Sequence, residues 1–148
     1  MSENRYTHTK LKRKPYYWFR SIGPNGPIKK LVIYRSITKY PVSIFNLSFG
    51  DWIGLPYVID DTVKTNNNDT RKILATVADT VFDFIHYYPD ALIFAEGSTH
   101  SRTRLYQMGI AAFYQKIITD FDIFGYVNDQ WEIFKKGINY EAFLIRKK

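Results

Sequence analysis

The chain has 148 residues and a mass of 17.5 kDa, with 21 Lys and Arg against 14 Asp and Glu, a formal charge of +7. That length suits one domain with a real core, and 45% apolar with 24% charged residues excludes disorder and collagen-like repeats. With no cysteine there is no disulfide framework and no thiol nucleophile, and three histidines without ligand spacing argue against a metal site.

Residues 1–14 read as a flexible basic arm and residues 15–148 as a single domain. Met1–Lys14 lacks the apolar stretch of an export signal. No run approaches the roughly 18 apolar residues of a membrane span, so a soluble, cytoplasmic protein with no membrane partner is expected. Pro15–Ile22 is an aromatic strand with Tyr16, Tyr17, Trp18 and Phe19, and Ile28–Ser36 is β-branched. Gly23-Pro24-Asn25-Gly26-Pro27 between them is hairpin chemistry. At strand spacing most of these rings are expected in the core or in cross-strand pairs rather than stacked on bases. After Pro41, Val42 and Ile44 alternate, then the phase slips to Phe45, Leu47 and Phe49, as at a β-bulge. Gly50-Asp51 is expected to end this third strand, and Leu55–Ile59 to form a fourth.

The period then changes. Ile73, Leu74, Val77, Val81, Ile85 and Tyr88 recur at helical steps, predicting a helix capped by Asp69 and stopped by Pro89. Its polar side carries Lys72, Thr76, Asp79, Asp83 and His86. Ala91–Ala95 is a buried strand. A second helix is expected from about Ser98 to Thr119, with Leu105, Met108, Ala112, Phe113 and Ile117 inward. Strands at Phe121–Val127, Trp131–Phe134 and Tyr140–Ile145 close the chain, with Asn128-Asp129 as a turn. The order predicts an α/β (α+β) fold: one mixed, mostly antiparallel sheet with two main helices.

Charge is placed unevenly. Residues 1–40 hold ten Lys and Arg against Glu3 alone, a net of +9, while residues 41–98 are net −5. Such a basic third is either a footprint for nucleic acid or another polyanion, or a surface that packs on the acidic middle and neutralises it. An acidic partner protein is a third possibility.

The segment Glu96 to Tyr106 carries the most chemistry. It leaves a buried strand through Gly97 into a helix start, where free N–H groups and the helix dipole favour an anion. Ser98 and Thr99 can cap this end. Arg102 and Arg104 then lie where the dipole disfavours positive charge, so they need compensating anions. Glu96, Asp51, Asp60 or Asp61 can supply these internally, or a phosphate can supply them from outside, which suits the bidentate geometry of Arg. His100 beside them is the one histidine placed for acid–base work. Asp60, Asp61, Asn66, Asn68 and Asp69 fit turn and cap chemistry better than a calcium loop.

Arg104-Leu105-Tyr106-Gln107-Met108-Gly109-Ile110, after a strand and a polar cap, resembles the last βαβ portion of the GNAT acyltransferase superfamily. The element order over residues 15–148 is also similar to that fold. The resemblance implies that Tyr106 would protonate a departing coenzyme A thiolate, with Ser98 and Thr99 as cofactor-side contacts. The acyltransferase pyrophosphate loop, (Arg/Gln)-x-x-Gly-x-(Gly/Ala), corresponds to Thr65-Asn66-Asn67-Asn68-Asp69-Thr70, which has no glycine and ends near an acid. Side chains there hinder backbone approach to a pyrophosphate, so no cofactor is expected and acetyl-CoA is the one candidate. The core Gly97-Ser98-Thr99-x-x-Arg102-Thr103-Arg104-Leu105-Tyr106 is similar to that of a family of small bacterial proteins without an established activity.

Three functions stand open on the sequence. One is a domain that binds or acts on a phosphate-bearing ligand, nucleic acid or nucleotide. Gly97, Ser98, Thr99, Arg102 and Arg104 would bind, with His100 and Tyr106 as acid–base groups, in the manner of a small ribonuclease toxin. The second is a GNAT-type acyltransferase with a degenerate cofactor loop. The third is a non-catalytic protein-interaction module whose arginines are structural.

Overall fold

The computed structural model describes residues 4–61 and 67–148. Among them nine strands make one open, mostly antiparallel sheet, accompanied by three helices. The strands are β1 (Thr9–Lys10), β2 (Tyr16–Gly23), β3 (Gly26–Thr38), β4 (Ile44–Gly54), β5 (Val58–Asp60), β6 (Leu92–Ala95), β7 (Phe121–Val127), β8 (Gln130–Ile133) and β9 (Ala142–Lys147). The helices are α1 (Thr70–Tyr87), α2 (His100–Ala112) and α3 (Tyr114–Asp120). The sheet order is β1-β2-β3-β4-β6-β9-β7-β8, with β5 beside β4, and the β4–β6 pair is parallel.

The β2–β3 hairpin closes as its turn residues dictate, with Gly23 opposite Gly26 and Gly26 at φ +80°. The phase slip at Ile44–Phe45 does mark a bulge. The extra residue, however, is Ile37 on β3: Ser36 pairs with Phe45 and Thr38 with Ile44. β4 does not stop at Gly50-Asp51 but runs on to Gly54, and Leu55–Tyr57 is a turn rather than strand. β4 pairs with β6 over Ile44–Leu47 and with β5 from Asp51 onward, so the two parallel strands part company after Leu47 and Ala95.

Alternation sorts the side chains. Tyr17, Phe19, Val32, Tyr34, Phe45 and Leu47 face one side, where the buried residues of all three helices join them in one core cluster. Tyr34 stacks on Phe84 at 4.2 Å between centroids and hydrogen-bonds Thr80 Oγ1 at 2.8 Å, which ties α1 to the sheet centre. Leu31 and Ile33 are 0% and 1% exposed yet lie outside that cluster, on the opposite face.

The arm and both expected helices also depart from expectation. Part of the expected arm is docked: Tyr6 is buried with its N–H on Thr76 Oγ1 at 2.9 Å, and Thr9–Lys10 pair with β2. This covers the polar side of α1, so Thr76 is fully buried rather than solvent-facing. Asp69 precedes α1 but makes no side-chain cap, because its carboxylate accepts hydrogen bonds from Tyr6 Oη and Ser21 Oγ, both at 2.5 Å. The long second helix is broken at Phe113 (φ −112°, ψ 20°) into α2 and α3, and the buried face of α2 is Thr103, Tyr106 and Ile110. Met108, expected inward, is 54% exposed.

Candidate functional site

The helix start from Gly97 is built tightly. A Cβ on Gly97 would lie 2.3 Å from the Thr103 nitrogen, so only glycine lets the end of β6 approach α2 this closely. Its N–H donates to Thr103 Oγ1 at 3.1 Å. Thr99 is the cap: its Oγ1 accepts from the Arg102 N–H at 3.2 Å and its carbonyl from the Thr103 N–H at 3.1 Å. Ser98, Thr99 and His100 are exposed. Several N–H groups counted on for an anion are therefore used within the fold.

The two arginines turn inward. Arg102 Nη2 donates to the Phe49 carbonyl at 2.5 Å, and its guanidinium carbon lies 4.6 Å from the centroid of the Phe49 ring. Arg104 donates from Nη1 to Gln107 Oε1 at 2.5 Å and from Nη2 to the Tyr140 carbonyl. Gln107 completes this clamp, donating to the Ile138 carbonyl and accepting from the Tyr140 N–H at 3.1 Å. Among the described residues neither arginine forms an ion pair with Glu96, Asp51, Asp60 or Asp61. Carbonyl oxygens do that work, pinning α2 to β4 and to the segment before β9. The Nε atoms of both arginines are buried without a hydrogen bond.

Tyr106 stands where β4 and β6 diverge, 7% exposed, its ring edge-on to Phe49 at 5.5 Å between centroids. Burial pushes its hydroxyl up to about 12, against the opposing pull of the Arg102 charge and a Phe49 backbone hydrogen bond. It keeps its proton at neutral pH. Beside it is a cavity of about 50 Å³ lined by Leu47, Phe49, Leu74, Ala95 and Ile110 among others. The structure thus brings Arg102 and Tyr106 together at Phe49, sends Arg104 elsewhere, and leaves His100 exposed. Of the expected cofactor loop, Thr65 and Asn66 lie outside the described residues, as does Asn66 of the acidic cluster. Asn67 is buried, donating to Ser21 Oγ at 3.1 Å and to the Gly26 carbonyl at 2.9 Å.

A second assembly lies on the sheet face opposite the helices. Tyr16, Trp18, Trp52 and Tyr57 form one chain of touching rings. Their centroids are 6.4 Å apart from Trp18 to Trp52, 6.4 Å from Trp52 to Tyr57 and 5.0 Å from Tyr57 to Tyr16. The Trp52 N–H donates to the Gly54 carbonyl at 3.0 Å and the Pro56 carbonyl at 3.2 Å, which folds the β4–β5 turn under the cluster. Cations stand over the rings: Lys14 at 5.5 Å from both Tyr16 and Tyr57, Arg20 at 5.1 Å and Lys29 at 5.9 Å from Trp18.

Arg20 and Lys29 are directly opposite in the β2–β3 register, a like-charge pair that disfavours the sheet unless an anion joins it. Arg35 lies farther along the same face, opposite Asn46. Lys14, Arg20, Lys29 and Arg35 are exposed, and none has an ion-pair partner among the described residues. The strand positions on this side of β2–β5 carry no carboxylate. The signal was present in the alternation of Tyr16, Trp18 and Arg20, but Trp52 and Tyr57 join only through the extended β4.

A family model described as "Family of unknown function (DUF6934)" matches residues 2–148, and the chain belongs to that family. No curated protein and no solved structure matches it. No helix among the described residues is long and apolar enough to cross a membrane.

Proposed function

We propose that the protein binds nucleic acid through the face of β2–β5 that bears Lys14, Arg20, Lys29 and Arg35. The observation that carries this is the Arg20–Lys29 juxtaposition, without an ion-pair partner among the described residues, on a face whose β2–β5 strand positions carry no carboxylate. A repulsive cross-strand pair is kept at a cost in stability, and a bound phosphate backbone removes that cost. The expected helix-start site contributes less, because Arg102 and Arg104 already donate to carbonyls.

A GNAT-like scaffold is the second reading. What favours it is the strand order, in which β6 runs parallel to β4 and β9 inserts between β6 and β7, together with Tyr106 at the β4–β6 divergence. Against acyl transfer, a hydroxyl raised to about 12 is a poor match for protonating a thiolate at neutral pH, and the Asp69 carboxylate sits at the start of α1.

The test is fluorescence anisotropy with a labelled oligonucleotide across a salt series, with acetyl-CoA as competitor. Four phosphate contacts predict a log–log salt slope of about −3, and Arg20→Ala/Lys29→Ala should reduce it to about half. No salt-dependent binding, or displacement by stoichiometric acetyl-CoA, overturns the proposal in favour of the second reading or neither.

A further inference from the structure

Resting on that reading, we infer that the nucleic acid taken is single-stranded, with its bases stacked on the ring chain of Tyr16, Trp18, Trp52 and Tyr57. All four rings are half-buried, with Leu31 and Ile33 packed in the same face of the sheet. In register, Trp18 is opposite Leu31 and Tyr16 opposite Ile33, so the rings are anchored in place while retaining an accessible side.

The geometry separates ligand classes. A duplex keeps its base faces turned inward and offers a sheet only phosphates and groove edges. An unpaired strand offers one π-face per nucleotide, each able to stack on an aromatic side chain. Four contiguous rings suit about four nucleotides. A second ring group, Phe94, Tyr126 and Trp131, lies farther along the sheet, but among the described residues no cation stands over its rings, and Arg146, two residues along β9 from the partner of Phe94, is paired with Asp122 at 3.2 Å. Rings and unpaired cations coincide on β2–β5.

The cations also explain how the rings stay solvated in the free protein. Lys14, Arg20 and Lys29 cover ring faces of Tyr16, Tyr57 and Trp18. Their stems are flexible and their heads exposed, so they act as placeholders. When a strand arrives, a base takes the ring face and the displaced ammonium or guanidinium swings to the neighbouring phosphate. Each group exchanges one partner for another. A polyanion without bases attracts the cations but has nothing to put on the rings.

The test compares a short oligothymidylate, a mixed-sequence duplex of equal length and inorganic polyphosphate. Binding is followed by anisotropy or competition, and stacking by tryptophan emission. The oligothymidylate is expected to bind at least about tenfold tighter than the duplex and to quench emission, while polyphosphate binds without comparable quenching. Trp18→Leu should weaken the single strand by roughly tenfold and leave duplex and polyphosphate binding unchanged, and Trp18→Phe should restore much of the loss. Should Trp18→Leu fail to fold, the wild-type ligand ranking and the Trp18→Phe protein still decide. Equal affinity for single strand, duplex and polyphosphate overturns this inference while leaving nucleic-acid binding intact. Binding to none of the three overturns both.

Discussion

Arg102→Ala separates a structural arginine from a ligand-binding one. The substitution removes the donor to the Phe49 carbonyl and the guanidinium 4.6 Å from the Phe49 ring. A hydrogen bond from a charged group contributes about 1.5–3 kcal/mol. The cation–π contact adds about 0.5–1 kcal/mol. Arg102 is only half-buried, so water can reach the vacated carbonyl, and the loss falls near the low end, about 2 kcal/mol. For a chain of this size that corresponds to a fall in Tm of about 4–8 °C. Differential scanning fluorimetry or calorimetry measures the shift. Anisotropy, run well below the variant's Tm, should give wild-type affinity for the oligonucleotide and an unchanged salt slope. A variant whose Tm stays within about 1 °C of wild type while oligonucleotide affinity drops tenfold would refute this reasoning and return the site to the helix start.

Two further predictions follow from the same geometry. Lys29→Glu converts the Arg20–Lys29 repulsion into attraction, and after the loss of one exposed cation–π contact it should raise stability by about 0.5 kcal/mol at low salt. The urea midpoint should rise while oligonucleotide affinity falls severalfold, and a lower midpoint with unchanged affinity would sink the idea. At alkaline pH, burial raises the hydroxyls of Tyr6, Tyr17, Tyr34, Tyr106 and Tyr140 above their ordinary value near 10. Because the folded value exceeds the unfolded one, their stabilisation is complete below about pH 10 and lost as pH rises through about 12 for Tyr106. Stability to urea should therefore fall steeply over that window and less so in Tyr106→Phe, whereas a folded protein whose 12 tyrosines all ionise together near pH 10 would contradict it.

What was readable in the sequence is what local chemistry determines. Gly23-Pro24-Asn25-Gly26 carries the chemistry of the β2–β3 turn, which Asn67 then holds by accepting from the Asn25 N–H at 2.7 Å and donating to the Gly26 carbonyl at 2.9 Å, and the apolar stripe of α1 marks its buried face. The phase of α2 was not readable, because Thr103 and Tyr106 are buried for their hydrogen bonds and hydrophobicity favours Leu105 and Met108 instead. Arg102 and Arg104 were expected to need compensating anions, and they donate instead to carbonyls 53 and 36 residues away. Any residue carries a carbonyl, so no side-chain pattern announces such a partner. The ring cluster was half-visible: Tyr16, Trp18 and Arg20 alternate in the sequence, while Trp52 and Tyr57 depend on where β4 ends.

The basic first third is neutralised on one face of the sheet and, among the described residues, not on the other. On the helix side, neutralisation holds. Lys30 is buried against Asp51, Arg5 and His8 meet Asp79 at 3.4 and 2.8 Å, and Tyr17 donates to Asp83 at 2.6 Å. On the other side, nothing described neutralises Lys14, Arg20, Lys29 or Arg35. Lys29 and Lys30 are adjacent in the chain, yet the pleat sends one to solvent over Trp18 and the other into an ion pair. Net charge counted along the chain cannot distinguish them, because it sums residues that a strand separates by its period of two. Charge counted by face can, and it leaves a cationic surface without an ion-pair partner among the described residues.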